Sequence, residues 1–121
     1  MIVYLAQPYS HPEAAIRQQR FEAAVAIAKR LMARGISPLS PIAHSHFMDT
    51  EPHAPFEVYQ EMDEAMIRVC DEMWIYADSG WQESRGVTSE RRYAERLGIP
   101  IRLINFLGEF VPNDHLLLEA S

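Results

Sequence analysis

The sequence predicts an α/β fold: a small, mostly parallel sheet flanked by helices, a flavodoxin- or Rossmann-like three-layer sandwich. Three observations predict it. Short apolar runs alternate with helical segments, a pattern that places helices on both faces of a parallel sheet. The first run, Ile2 to Ala6, is apolar throughout, as a fully buried strand requires. With 121 residues, the chain has material for one domain, 1–121, and one core.

The elements follow in order. After the strand Ile2 to Ala6, Gln7-Pro8-Tyr9 turns the chain. Ser10, Pro12 and Glu13 carry a capping-box spacing for a first helix. That helix runs to about Ala33, with Ile16, Ala24, Ile27, Ala28 and Leu31 inward and Arg34-Gly35 as the stop. Ile36 to Leu39 is a weak second strand, kept to an edge by Pro38 and Pro41. Residues 40–55 read as a long loop with one helical turn near His44 to Met48. A second helix starts at Pro55 and ends near Cys70. Met73 to Ala77 is a third strand, followed by the polar loop 78–86. A third helix covers Val87 to Leu97 and stops at Gly98. Ile99 to Phe106 gives a fourth strand. The tail 107–121, with its Leu116-Leu117-Leu118 run, has no clear assignment. Ligands of open α/β sheets bind beyond the carboxyl ends of the strands. Loops 7–11, 40–55 and 78–86 arrive there.

Composition excludes several functions. Lys plus Arg number 11 against 17 Asp plus Glu, a formal charge of −6. That balance argues against a nucleic-acid polymer as partner, although a single nucleotide needs only a local cluster of donors. The lone Cys70 excludes an internal disulfide framework and a thiolate metal cluster. No apolar run reaches the length of a membrane span. The opening Met-Ile-Val-Tyr-Leu reads as a strand, so a cytoplasmic protein is expected.

Two acidic residues interrupt apolar stripes. Phe56, Tyr59, Asp63, Ile67 and Cys70 share one face of the second helix. Val87, Glu90, Ala94 and Leu97 do the same on the third. Acidic residues are rarely buried without partners. Asp63 is either at the stripe's edge or paired with an arginine, or it serves chemistry. For Glu90, an ordinary acid placed to suit the helix dipole competes with a nucleophile that the helix N-terminus keeps ionised. Between these helices, Ser79, Gly80, Ser84 and Gly86 offer hydroxyls and close backbone approach for a small polar ligand. Trp81 is either an exposed ring for stacking on a base or a cap over the core. Neither a Walker motif nor a dinucleotide fingerprint is present. His44, His46 and His53, with Asp49 and Glu51, match no strong metal template. Histidines shaping a pocket mouth are the preferred reading, with no metal and no organic cofactor.

The ordered set resembles the nucleoside 2-deoxyribosyltransferase superfamily, in particular its small bacterial and phage branch of the DUF1937 kind. The resemblance rests on Val3-Tyr4-Leu5-Ala6-Gln7-Pro8-Tyr9-Ser10, the Asp63 helix and the strand to Ala77. It continues through Ser84-Arg85-Gly86-Val87-Thr88-Ser89-Glu90 and the closing Ala94 to Ile101. It implies Glu90 as the catalytic glutamate that attacks the anomeric carbon. It implies Asp63 as the acid that protonates or orients the departing base, and Ser84 as a contact to the sugar or the nucleophile. Tyr4, Gln7 and Tyr9 fall where the family holds nucleophile and ligand. Ser10 falls in the 5′-phosphate region of nucleotide-hydrolysing relatives, with Arg17 or Arg20 able to assist. The resemblance further implies a homodimer or larger homo-oligomer whose subunits complete each other's pockets. Two departures separate the chain from the transferases. It is shorter than the best-known members, and Ser84-Arg85-Gly86 replaces the usual acidic approach to the glutamate. Arg85 thereby either contacts an anionic substrate or merely faces solvent.

The expected function is cleavage or transfer of the N-glycosidic bond of a (deoxy)nucleoside or nucleoside 5′-monophosphate. A non-catalytic nucleotide-binding or sensing module is the alternative, and a small structural partner protein is a third.

Overall fold

The computed structural model describes residues 1–112. The elements are β1 (Ile2–Ala6), α1 (Ala14–Ala33), β2 (Ser37–Leu39), α2 (Pro41–Ser45), α3 (Phe56–Ile67), β3 (Glu72–Tyr76), α4 (Arg85–Leu97), β4 (Ile101–Ile104) and β5 (Phe110–Val111). Short 3-10 turns occupy His46–Met48 and Trp81–Glu83.

The strands form one five-stranded sheet in the order β2-β1-β3-β4-β5. The first four are parallel, and β5 returns antiparallel to β4. Alternation along β1 assigns each face. Tyr4 and Ala6 join Met73, Ile75 and Leu103 against Ile67 of α3 and Val87 and Ala94 of α4. Val3 and Leu5 join Trp74 and Ile104 against Ile27 and Leu31 of α1. A strand sandwiched this way is apolar at every position, which explains the unbroken run from Ile2 to Ala6. The fold is thus the three-layer α/β sandwich that the alternation predicts. The chain leaves β1 for β2 on one side and later enters β3 on the other. That reversal opens a crevice beyond the carboxyl ends of β1 and β3, where ligands of such sheets bind.

Several boundaries differ from expectation. Ser10 does not cap α1. Glu13 occupies the N-cap position without a side-chain cap bond. Its own N–H is instead taken by His11 Nδ1 at 3.0 Å, so the ring supplies the local turn that the serine was expected to make. The second predicted helix ends at Ile67, because Val69 and Cys70 close it with tighter bonds to Met66 and Ile67. The loop 40–55 begins with a real helix, capped by Ser40, whose Oγ accepts from Ala43 N at 3.1 Å. The fourth strand is shorter than Ile99 to Phe106. The turn Asn105 to Gly108 follows it and delivers the unexpected β5. The Leu116-Leu117-Leu118 run lies outside the described residues. Gly98 stops α4 as expected, with a φ of 74° that suits glycine.

Candidate functional site

A cavity of about 560 Å³ lies at the crevice. Its floor is the end of β1 and its continuation, Gln7 to His11. Arg17 and Arg20 line it from α1, and Pro41, Ile42 and Ser45 from α2. Phe56, Tyr59 and Asp63 line it from α3, and Ser84 to Gly86 with Glu90 from α4. Loops far apart in sequence therefore meet at one place, as the parallel topology dictates.

The two carboxyls that interrupt apolar stripes both border this cavity. Glu90 Oε2 is sealed from solvent without a hydrogen-bond partner among the described residues, and so is the hydroxyl of Tyr4. The Tyr4 hydroxyl is nevertheless near enough to Glu90 to stabilise its charge. Burial is the main cause that raises the Glu90 pKa to about 8, with the neighbouring Asp63 charge adding to it and Tyr4 opposing it. Asp63 is raised to about 7 by burial. Burial, then the charges of Glu90 and Asp63, push the Tyr4 hydroxyl well up, so it stays a phenol. These shifts correct the expectation that the helix dipole keeps Glu90 ionised. Glu90 is the sixth residue of α4, and the dipole's influence fades within the first turn. Desolvation outweighs it.

Ser84 is the N-cap of α4, its Oγ accepting from Val87 N at 3.2 Å. A Cβ at Gly86 would meet Glu90 Oε1 at 3.7 Å and Ser84 Oγ at 4.0 Å. The cap hydroxyl and the carboxyl thus flank the same patch of bare backbone. Gln7 is buried, with Nε2 donating to the Arg20 carbonyl at 3.0 Å and Oε1 sealed without a partner. Tyr9 is held by His46 Nδ1 at 2.8 Å and donates to Asp49 Oδ2 at 3.3 Å.

Other expected residues fall differently. Trp81 is only 7% exposed and packs in the core under α4. It is a cap over the apolar layer, and no ring is offered there for stacking. Ser79 is exposed and does not border the cavity, whereas Gly80 does. Tyr4 sits beneath the cavity, behind Glu90, and does not line it. Arg17 donates to the His11 carbonyl and pairs with Asp49 at 3.6 Å. Arg20 donates to the carbonyls of Tyr9, at 3.3 Å, and Ser10, at 3.0 Å. Both guanidinium groups thereby brace the 9–11 loop while facing the cavity. The Arg85 guanidinium lies 3.8 Å from the Phe56 ring centroid. The cavity's aromatic walls are Phe56 and Tyr59, which the helical stripe flagged only as an apolar face.

The histidines act as braces. His46 stacks on Phe21 at 4.2 Å, and His53 contacts Asp49 and Glu51, each at 3.1 Å. Among the described residues, no three His, Cys, Asp or Glu side chains converge as a metal-holding group. Cys70 is buried, with Sγ donating to the Met66 carbonyl. Among the same residues, no helix is long and apolar enough to cross a membrane.

Fold and site together define a small α/β protein with a sheet-edge cavity bordered by two protonatable carboxyls. The chain belongs to the family described as Domain of unknown function (DUF1937), whose profile matches residues 1–105. No curated protein matches. Among solved structures, it is similar to a 2-deoxyribosyltransferase from the psychrotolerant bacterium Bacillus psychrosaccharolyticus. The two share 20% identity and a TM-score of 0.60 over 100% of this chain and 82% of the other. That likeness is one of fold.

Proposed function

We propose that the protein cleaves or transfers the N-glycosidic bond of a (deoxy)nucleoside or nucleoside 5′-monophosphate, with Glu90 as nucleophile and Asp63 as acid. The observation that carries this reading is the meeting of two half-buried carboxyls, from two helices, at one cavity. The similar solved structure is of a 2-deoxyribosyltransferase, which favours the same reaction class.

The chemistry needs one proton on the pair. A Glu90 oxygen attacks the anomeric carbon as the bond from that carbon to the base nitrogen breaks. The electron pair leaves with the base, which takes the Asp63 proton. Charge developing on the sugar ring is stabilised by the carboxylate. A second base, or water, then displaces Glu90 from the sugar. Asp63 accepts the proton of the incoming group, as in retaining glycosidases. Ser84 and Tyr4 would orient Glu90 or the sugar. Gln7, Tyr9, Ser10, Gly80, Arg85 and Gly86 would bind the substrate. Residues 1–121 would act as one domain. A second copy of the chain would close the open side of the cavity.

One feature favours the binding-module alternative. A Glu90 that is neutral at pH 7 is a hydrogen-bond donor rather than a nucleophile. A panel of ribo- and deoxyribonucleosides and their 5′-monophosphates, with and without an acceptor base, separates the readings. Free or exchanged base supports the enzyme. Tight binding without product supports the module and overturns the enzyme.

A further inference from the structure

Helix α3 carries a second stripe that the core does not use. Val58, Met62, Ala65 and Val69 recur at steps of 4, 3 and 4, the spacing of a helix-pairing seam. At about 3.6 residues per turn they fall within about 60° of one another, turned about 130° from the inward face of Tyr59, Asp63 and Ile67. The turn after Ile67 keeps Val69 in phase, with Arg68 N bonded to the Glu64 carbonyl and Val69 N to that of Met66. Val58 is 53% exposed and Val69 63%, while Ala65 is exposed and Met62 half-buried. None of the four belongs to the core on either side of the sheet or lines the cavity. The other sides of α3 are taken. One packs on the sheet through Ile67. Another meets α4, where Gln60 Nε2 donates to Ser89 Oγ at 2.9 Å.

Charge is unevenly placed along the stripe. Glu57 and Glu61 flank its first half and Arg68 its far end, all exposed and all on one side of it. Neither glutamate forms an ion pair among the described residues. Arg68 gives one N–H to the Tyr93 hydroxyl at 2.8 Å, and a guanidinium has five.

We propose that this face of α3 docks a second copy of the chain, the two helices running antiparallel about a twofold axis. Such a contact needs a surface complementary to itself. An axis centred between Met62 and Ala65 sets Val58 against Val69 of the partner subunit. It sets Met62 against Ala65 of the partner subunit, a large side chain over a small one. The charged flank falls on the same side in both copies. Arg68 then lies level with the stretch between Glu57 of the partner subunit and Glu61 of the partner subunit, and symmetry repeats the contact. A parallel pair would not bring the two signs together. One pair of short helices is smaller than the roughly 1,200–2,000 Å² of a standard interface, so dissociation in the micromolar range is expected. The second copy lies along the helix that walls the cavity, and the proposal does not depend on the proposed chemistry.

Sedimentation velocity of the full chain across the micromolar range tests the surface. A monomer–dimer equilibrium is expected, and a monomer throughout overturns the proposal. Ala65→Glu puts a charge at the centre of the seam and should raise the dissociation constant at least about tenfold. Circular dichroism checks that the variant folds. Pairing that survives the change overturns the proposal, because the contact then lies elsewhere. Two charge variants test the direction and leave the seam intact. Arg68→Glu leaves only negative charge on the flank, and Glu57→Arg with Glu61→Arg leaves only positive charge. Each should pair about tenfold more weakly alone, and an equimolar mixture should recover the wild-type affinity. A mixture no tighter than its components overturns the proposal. No readout needs a substrate. A chain that releases no base from any nucleoside therefore refutes the proposed function alone.

Discussion

The Tyr9 hydroxyl lies 2.8 Å from His46 Nδ1 and 3.3 Å from Asp49 Oδ2. One phenol thus ties the loop after β1 to the segment that forms the cavity mouth. Tyr9→Phe should loosen residues 46–53 while costing only about 0.5–1.5 kcal/mol overall. Hydrogen exchange is the measurement: protection should fall in that segment and hold in the sheet. Equal loss everywhere would show that the hydroxyl does not act locally.

Glu90→Gln keeps the shape and removes the carboxylate proposed as the nucleophile. Base release should fall by at least about three orders of magnitude, in keeping with loss of a nucleophile. Mass spectrometry should find no sugar adduct on the variant. Wild-type turnover in a folded E90Q protein would sink the assignment.

Asp63→Asn should slow poor leaving groups more than activated ones, since only the former need the proton. The wild-type pH profile should also be bell-shaped. Asp63 titrates at about 7 and Glu90 at about 8. The proposed reaction uses the pair with one proton, which rests mainly on Glu90, the weaker acid, and must pass to Asp63 before attack; the pair titrates as a unit, so the rate follows the singly protonated population. Base release should peak between about pH 7 and 8 and fall on either side. A flat profile, or a rate indifferent to leaving-group basicity, would count against the acid role.

Stability should follow the same groups. Both carboxyls have folded pKa values above their ordinary values of 3.8 and 4.5. Between about pH 4 and 8 the folded state therefore holds protons that the unfolded chain has released. Stability falls as pH rises through that window, by up to about 1.4 kcal/mol per pH unit for each proton held, and levels off above it. Denaturant titrations at several pH values should show this slope, and Glu90→Gln should flatten it. An unchanged slope would mean that Glu90 is ionised in the folded state.

Trp81→Ala should cost about 3–5 kcal/mol, as expected for a large core ring replaced by a small residue. Ligand binding should change little in any fraction that stays folded. Loss of binding with unaltered stability would return Trp81 to the cavity.

Much of the scaffold was legible because it depends on local pattern. The unbroken apolar run of β1 marked a strand covered on both faces. Gly98 marked the end of α4. The stripes on α3 and α4 exposed Asp63 and Glu90 as misfits before any contact was known. The sequence misjudged what depends on competition between partners. Ser10 had the chemistry of a cap, but His11 supplied the turn. Trp81 was open between a stacking ring and a cap over the core, and packing decided for the core. β5 was too short to carry a period, and it exists because the Asn105 to Gly108 turn folds it back on β4. Gln60 and Ser89 gave no signal at all, since nothing in their spacing says that they meet across two helices.

The order of strands and helices, the covered first strand and the two misplaced carboxyls are properties of the sequence alone. They arise from side-chain periodicity, which needs no partner to be read. The protonation of those carboxyls was decided by the tertiary structure. Helix position alone suggested an ionised Glu90. Packing α3 against α4 over the sheet half-buries Glu90 beside Asp63 and seals its Oε2, and the cost of desolvating charge then outweighs the pull of the helix end. The same packing turned isolated acidic residues into a pair that titrates between about pH 7 and 8, which no single helix could have done.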